Sequence, residues 1–248
     1  MIEFQDIHKT FNDKVVLNGV SGRFEPQKIN LVIGASGTGK SILLKCIVGL
    51  IKPEEGRVAF DGRDFLGASR GLQVGIRKEI GMLFQSSALF DSKSVEENVI
   101  FPLDFLTDMS REAKLDRVNS CLQRVGLSNI NNKMPNELSG GMKKRVGIAR
   151  AIVNNPKYLF CDEPNSGLDT RTGPLIDELI KEITQEYGIT TVVVTHDMNS
   201  VVSIGDYIMF LDQGKKAWEG TSSDILRVEG GALKDFIFAS KLMRMAKP

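Results

Sequence analysis

The sequence predicts an α/β protein built on a mainly parallel sheet, and three observations carry that expectation. Short apolar runs recur, Ile29 to Ile33, Tyr158 to Cys161 and the Val192-Val193-Val194 centre of Thr190 to Thr195. Such runs read as strands buried on both faces, the signature of parallel sheets. Helical spacing alternates with them, over Ser41 to Gly49 and over Thr172 to Tyr187, the latter closed by Gly188. The third observation is size: 248 residues can bury a full core, either as one domain or as a core with an inserted lobe.

At the N-terminus, Ile2 to Ile7 and Val15 to Val20 alternate like two strands joined at Asn12-Asp13, so an antiparallel β element precedes the core. Gly49 to Glu55 is a loop, Arg57 to Phe60 with Asp61-Gly62 a strand and turn, and Ile80 to Phe84 a strand that ends at Gln85. From Ser86 to about Asn136 the pattern is helical. Ser94 and Glu97 form a capping box for a short helix that Pro102 should stop, and Ser110 caps a longer helix ended by Gly126. A further helix spans Lys143 to Val153 and stops at Asn154-Asn155-Pro156. Ile208 to Leu211 and Lys216 to Trp218 close the fold as a hairpin around Gly214. The expected division is a main domain over 1–229, with a helical subdomain inserted at about 86–156, and a helical tail over 230–248.

Charge and cysteine content narrow the function classes. Lys and Arg number 32 against 31 acidic residues, a formal charge of +1, so no net field draws the chain to nucleic acid or to an anionic membrane. Cys46, Cys121 and Cys161 are far apart and lack metal-ligand spacing; they read as reduced core residues of a cytosolic protein. MIEFQDIHKTF alternates as a strand rather than as a signal peptide, and no apolar run approaches a membrane span. Any membrane role is expected to come through a partner.

The chemistry centres on Gly34-Ala35-Ser36-Gly37-Thr38-Gly39-Lys40-Ser41, which follows a buried strand and opens into a helix. That context is what a phosphate-binding loop requires. Glycines let backbone N–H groups wrap an anion, and the helix N-terminus adds partial positive charge. Lys40 would reach the β- and γ-phosphates of a nucleotide, and Ser41 would hold Mg²⁺. Asp162 and Glu163 end an apolar strand; Asp162 would serve Mg²⁺ and Glu163 would be the base that activates water. In isolation such an Asp-Glu pair is an acidic turn, and its place after the glycine loop and strand is what lifts it. Ser139-Gly140-Gly141 begins a helix and offers a second anion-binding N-terminus. A cap alone explains Ser139. Paired glycines cost helix stability unless the backbone must approach something.

This ordered set resembles the ATPase subunits of ATP-binding cassette (ABC) systems, from about Ile2 to Asp224. Gly34 to Ser41 matches their Walker A motif, Leu138 to Met142 the signature, Tyr158 to Glu163 Walker B, and Ser166-Gly167-Leu168-Asp169 the D-loop. His196 matches the switch histidine, Gln85 the Q-loop, and Phe11 the aromatic that stacks on adenine. The resemblance implies a P-loop NTPase core with ATP and Mg²⁺ as ligands, the metal held by Ser41, Gln85 and Asp162. It implies Glu163, His196 and Gln85 as catalytic groups, and a head-to-tail dimer in which Ser139, Gly140 and Gly141 of one copy cap ATP on the other, with Asp169 at the interface.

Within that family, Phe84 to Ser92, Ser94 to Val99, Phe101-Pro102-Leu103 and the signature ending in Met142 resemble the ATPase of Mla-type phospholipid transporters. Ser87 stands where that subfamily commonly has Gly. That resemblance implies a subunit peripheral to the cytoplasmic face of a bacterial inner membrane, with a permease, an MCE lipid-carrier protein and room for a small regulatory subunit. An amino-acid or methionine importer would share every catalytic motif, and a soluble cassette ATPase of iron–sulfur assembly remains as an alternative. Leu89 and Phe90 are expected exposed, at the permease dock. The tail's Leu233, Phe236, Ile237, Leu242, Met243 and Met245 must pack either on their own domain or on a second ATPase.

Overall fold

The N-terminal ribbon forms as its alternation dictates: β1 (Ile2–Phe11) and β2 (Lys14–Phe24) pair antiparallel. Asn12 and Asp13 turn the chain with φ of 44° and 65°. Two left-handed residues in a two-residue loop match the strands' right-handed twist, and Asn and Asp tolerate that conformation. Next come β3 (Ile29–Ile33), buried at every position, and α1 (Lys40–Ile47). β4 (Glu55–Phe60) turns through Asp61-Gly62 into β5 (Arg63–Asp64). α2 (Arg70–Lys78) has no counterpart in the sequence reading; it buries Ile76, while Leu72 and Val74 stay 41% and 42% exposed.

β6 (Ile80–Leu83) leads into α3 (Val95–Leu106), α4 (Arg111–Arg124), a 3₁₀ turn over Pro135–Glu137 and α5 (Gly140–Ile152). Then follow β7 (Tyr158–Asp162), α6 (Thr172–Tyr187) and β8 (Thr190–Thr195). α7 (Met198–Ile204), β9 (Tyr207–Asp212), β10 (Lys215–Gly220), α8 (Ser222–Ile225) and α9 (Gly231–Ile237) complete the chain. The computed structural model describes residues 1–225 and 227–238, so Leu242, Met243 and Met245 of the expected tail helix lie outside the described residues.

Residues 1–73 and the described residues from 192 onward form one compact unit, and residues 74–191 form another. In the first, the antiparallel sheet runs β2-β1-β4-β5. A second sheet there places β9 between β10, antiparallel, and β3, parallel, with Leu31 opposite Ile208 and Ile33 opposite Phe210. α9 docks on this unit. Leu233 and Ile237 are buried and the Phe236 ring lies 5.5 Å from that of Phe210. Through residue 238, therefore, the tail packs on its own domain.

In the second unit β6 and β7 run parallel, Ile80 opposite Tyr158 and Leu83 opposite Cys161. The helices α3, α4 and α5 pack on one another. The Ser94–Glu97 capping box is formed: Ser94 Oγ accepts from the Glu97 N–H at 3.2 Å, and the Glu97 carboxylate accepts from the Ser94 N–H at 2.7 Å. Pro102 does not stop α3, which continues to Leu106. A helical proline costs ~3 kcal/mol, whereas each fully buried Val, Ile or Leu contributes about 1.5–3 kcal/mol. Val95, Val99, Ile100 and Leu103 are all at most 2% exposed, so packing outweighs the break. Arg117 of α4 donates to the Ile152 and Val153 carbonyls at the end of α5, and Arg145 of α5 donates to the Val125 carbonyl at the end of α4. Each helix thus supplies a cation to the other's C-terminus, where unpaired carbonyls favour it.

Candidate nucleotide-binding site

Gly34 to Ser41 fold as the loop between β3 and α1. Gly34, Gly37 and Gly39 take φ of 152°, 82° and 102°, a region that favours glycine. A Cβ on Gly34 would lie 2.3 Å from the Leu211 carbonyl, and one on Gly39 2.9 Å from that of Val16. At Gly37 nothing lies within 4 Å, so only its conformation demands glycine there. The Thr38 hydroxyl closes the loop by donating to the Ala35 carbonyl at 2.9 Å. Lys40 is buried, and its ammonium donates to the carbonyls of Gly34 and Ala35 at 2.9 and 2.8 Å.

α1 starts without a side-chain cap, on Gly39, and carries no acid in its first turn, while Ala35, Ser36 and Gly37 are exposed along the rim. Helix-terminal N–H groups and a buried ammonium beside an open glycine rim fit a polyphosphate. Elsewhere in this unit, Phe11 is 42% exposed at the end of β1, with the Lys9 ammonium 5.0 Å from its ring centroid. That cation is itself paired with Glu54 at 2.5 Å. His196 is exposed directly after β8, where the Thr195 hydroxyl oxygen accepts from the Asp197 N–H at 3.0 Å and the Asp197 carboxylate caps α7.

The second unit gathers Gln85, Glu163 and Ser166. Asp162 is the last, buried residue of β7. Glu163 follows at φ 47°, left-handed for a residue with a Cβ, a conformation that costs roughly 1–2 kcal/mol. The Gln85 side-chain amide donates to the Glu163 carboxylate at 2.9 Å and to Ser166 Oγ at 3.2 Å. An ionised carboxylate only accepts, so the amide nitrogen must face Glu163 and the amide oxygen is left as the end able to ligate a cation. Ser139 caps α5 by accepting from the Met142 N–H at 3.3 Å, and Gly140 is exposed.

Gly141 has a reason inside the fold, for a Cβ there would lie 2.7 Å from the Thr172 methyl. Asp169 is occupied locally as well. Its carboxylate accepts from the Thr172 hydroxyl at 2.7 Å and from the N–H groups of Thr172 and Arg171 at 2.9 Å each, bonds that hold it below the usual carboxylate range.

Two groups escaped the sequence reading. Lys144, buried in α5, donates to the carbonyls of Gln85 and Glu163. Arg150, on the same helix, donates to the carbonyls of Ser87, at 2.5 Å, and Ala88, at 2.7 Å. Ser87 and Ala88 take φ of 62° and 45°, which is why a glycine would suit position 87. A basic run from Lys143 to Arg145 and a single Arg150 give no sign in the sequence of the carbonyls they will reach. Leu89 is half-buried rather than exposed; Phe90, 40% exposed, packs tilted against Phe101 with ring centroids 4.8 Å apart.

Residues 17–166, more than half of the chain, match the ABC transporter family. The chain belongs to that family. Among its relatives, the methionine import ATP-binding protein MetN 1 of Pseudomonas putida is 39% identical over 91% of this chain and 68% of its own length. The MetN protein of Caulobacter vibrioides is 43% identical over the same shares. A dimeric ATP-binding cassette solved in a post-hydrolysis state with ADP and Pi superposes with a TM-score of 0.82 at 34% identity, over 90% of this chain and 99% of that one. The cassette cbiO1 of Clostridium perfringens, part of the ABC transporter complex cbiONQ, gives 0.82 at 29% identity over 97% and 94%.

This ABC chain is accordingly an ATPase with the cassette fold. The resemblance to Mla-type ATPases is corrected here: these relatives are methionine import proteins, and neither lipid transport nor an MCE partner finds support among them. The loop residues after Gln85 that suggested lipid transport serve packing within the unit, through Arg150 and Phe101. Among the described residues no helix is long and apolar enough to cross a membrane.

Proposed function

We propose that this chain is the ATP-hydrolysing subunit of an ABC importer for methionine or a similar amino acid, working at the cytoplasmic face of the membrane. The observation that carries this reading is the identity of 39–43% with methionine import ATP-binding proteins over 91% of the chain. The loop N–H groups of Gly34 to Gly39 and the Lys40 ammonium bind the triphosphate, and Phe11 offers a ring for the base. Ser41, Asp162 and the Gln85 amide oxygen are the groups that would hold Mg²⁺, which when bound neutralises charge on the phosphate oxygens. Glu163 takes the proton of the attacking water, its carboxylate aimed by the Gln85 amide at 2.9 Å. His196, directly after β8, would sense the terminal phosphate. Ser139, Gly140 and Gly141 at the start of α5 cap the nucleotide of a second copy in a head-to-tail dimer, with Asp169 beside them.

The permease contact falls on an apolar groove of about 370 Å³ lined by Phe84, Phe90, Phe101, Pro102 and Leu106. Phe90, Phe101 and Phe105 form a ladder at 4.8 Å spacings, and Phe105 is 72% exposed. An aromatic that exposed at a groove edge fits a partner better than solvent.

Purifying the chain from native membranes with its permease and reconstituting both in vesicles tests the reading. Amino-acid uptake driven by ATP, with methionine competing, is the expected result. Phospholipid transfer without amino-acid uptake would overturn it.

A further inference from the structure

Lys144 sits in the second turn of α5, the helix that Ser139 caps, and is 4% exposed. Its ammonium donates to the backbone carbonyls of Gln85 and, at 3.3 Å, of Glu163. Those are the two residues whose side chains meet at 2.9 Å. Burial works against the lysine's charge and lowers its pKa, opposed by the nearby Cys161, Glu163 and Asp162. A methionine there would escape the cost of removing an ammonium from water. The carbonyls it stops bonding belong to Gln85, which is exposed, and Glu163, which is half-buried, so unlike the buried Ser87 carbonyl under Arg150 they can turn to water and stability should change little. What the ammonium supplies is a pair of charge-assisted hydrogen bonds to two separate segments, one after β6 and one after β7, both anchored on α5. Glu163 is the one of these held in the left-handed region, at φ 47°, where surrounding structure has to over-determine the backbone.

We propose that Lys144 is a positioning residue for ATP hydrolysis. It ties the backbones of Gln85 and Glu163 to the helix that begins Gly140-Gly141, so that any displacement of this helix moves both groups together. The Ser139 end of α5 is the part assigned above to a second copy's nucleotide. Lys144 then makes the geometry around one Glu163 responsive to what occupies the neighbouring site. Without the clamp, Glu163 relaxes from its left-handed backbone, and the carboxylate leaves the Gln85 amide. The inference rests on the role of Glu163 proposed above.

The test compares wild type, Lys144→Met and Lys144→Arg in the full chain by steady-state ATPase kinetics, ATP binding and thermal melting. Met keeps the apolar stem and loses the donors; Arg keeps both charge and donors. Lys144→Met is expected to lower kcat tenfold or more, with KM and ATP affinity within threefold of wild type and melting temperature unchanged or raised. Lys144→Arg should recover a substantial part of the rate. A Lys144→Met protein with kcat within twofold of wild type would overturn the proposal. So would a rate loss matched by loss of ATP binding or of melting temperature, which marks a merely structural role. Glu163→Gln separates this from the parent assignment: if that change alone leaves turnover intact, the base was misassigned. If it abolishes turnover, adding Lys144→Met should cost nothing more, because groups acting as one unit are not additive.

Discussion

Replacing Arg150 with Met is the perturbation whose size can be worked most directly. The guanidinium holds two consecutive left-handed residues by their carbonyls, Ser87 at 2.5 Å and Ala88 at 2.7 Å. Hydrogen bonds to charged groups contribute about 1.5–3 kcal/mol each. Ala88 is exposed and its carbonyl can turn to water, so the loss falls mainly on Ser87, which is 1% exposed. Relief of the buried guanidinium, whose pKa burial lowers, offsets part of the loss. The net expectation is destabilisation of about 2 kcal/mol, or about 4–8 °C in melting temperature for a chain of this size. Calorimetry gives the shift, and urea unfolding should show a lower midpoint with an unchanged slope. Since the loop begins at Gln85, kcat should fall more than stability alone accounts for. A melting temperature within a degree of wild type would refute the claim that Arg150 holds this loop.

Three further outcomes follow from the packing. In Gly147→Ala the new Cβ would lie 2.7 Å from Leu83 Cδ1, so overpacking of about 1–3 kcal/mol, set against the roughly 1 kcal/mol that Ala gains over Gly inside a helix, should leave a net loss of up to about 2 kcal/mol in denaturant melts; a net gain would mean that Leu83 yields to the methyl at no cost. The Glu97 carboxyl is held below its ordinary value of 4.5, first by the Ser94 backbone N–H and then by the Ser94 side chain. With the folded pKa depressed, its stabilisation is present above that ordinary value and is lost as pH falls through the folded one. The melting-temperature gap between wild type and Glu97→Gln should therefore close on acidification from pH 7 to about 3; a constant gap would contradict it. Deleting 231–248 exposes the seats of Leu233 and Ile237, each worth about 1.5–3 kcal/mol before ordering entropy is subtracted, and should lower thermal stability without abolishing nucleotide binding. An unchanged melting temperature after that deletion would place the tail's contribution elsewhere.

Much of the fold was legible because its signals are local. The β3–α1 junction announces itself through three glycines and Lys40-Ser41, and the capping box of α3 through Ser94 and Glu97. The turns of the antiparallel sheet are announced by Asn12-Asp13 and Asp61-Gly62. Each of these is decided by residues within a turn or two of one another. What could not be read depends on partners distant in sequence. Pro102 is tolerated because Val95, Val99, Ile100 and Leu103 are buried, and no local rule weighs burial against a proline. Lys144 and Arg150 look like ordinary polar positions of α5 until the loops after β6 and β7 are laid against them. Gly141 seemed to await a ligand and turns out also to make room for the Thr172 methyl. The substrate class misled for a different reason: the residues that bind and split ATP carry little information about cargo, and the loop after Gln85 is shaped by internal packing as well as by any partner.

The central claim is that Glu163 acts as the base for water, and Glu163→Gln tests it most directly. Gln is nearly isosteric, keeps a polar group beside the Gln85 amide and removes the proton acceptor. ATP binding should remain, since the loop from Gly34 to Ser41 is untouched. Turnover should fall by about a hundredfold to ten-thousandfold, the usual worth of general-base help. In sedimentation, ATP should then hold the variant as a stable dimer while ADP does not. Turnover close to wild type, or an ATP-bound variant that stays monomeric at concentrations where binding is saturated, would contradict the account.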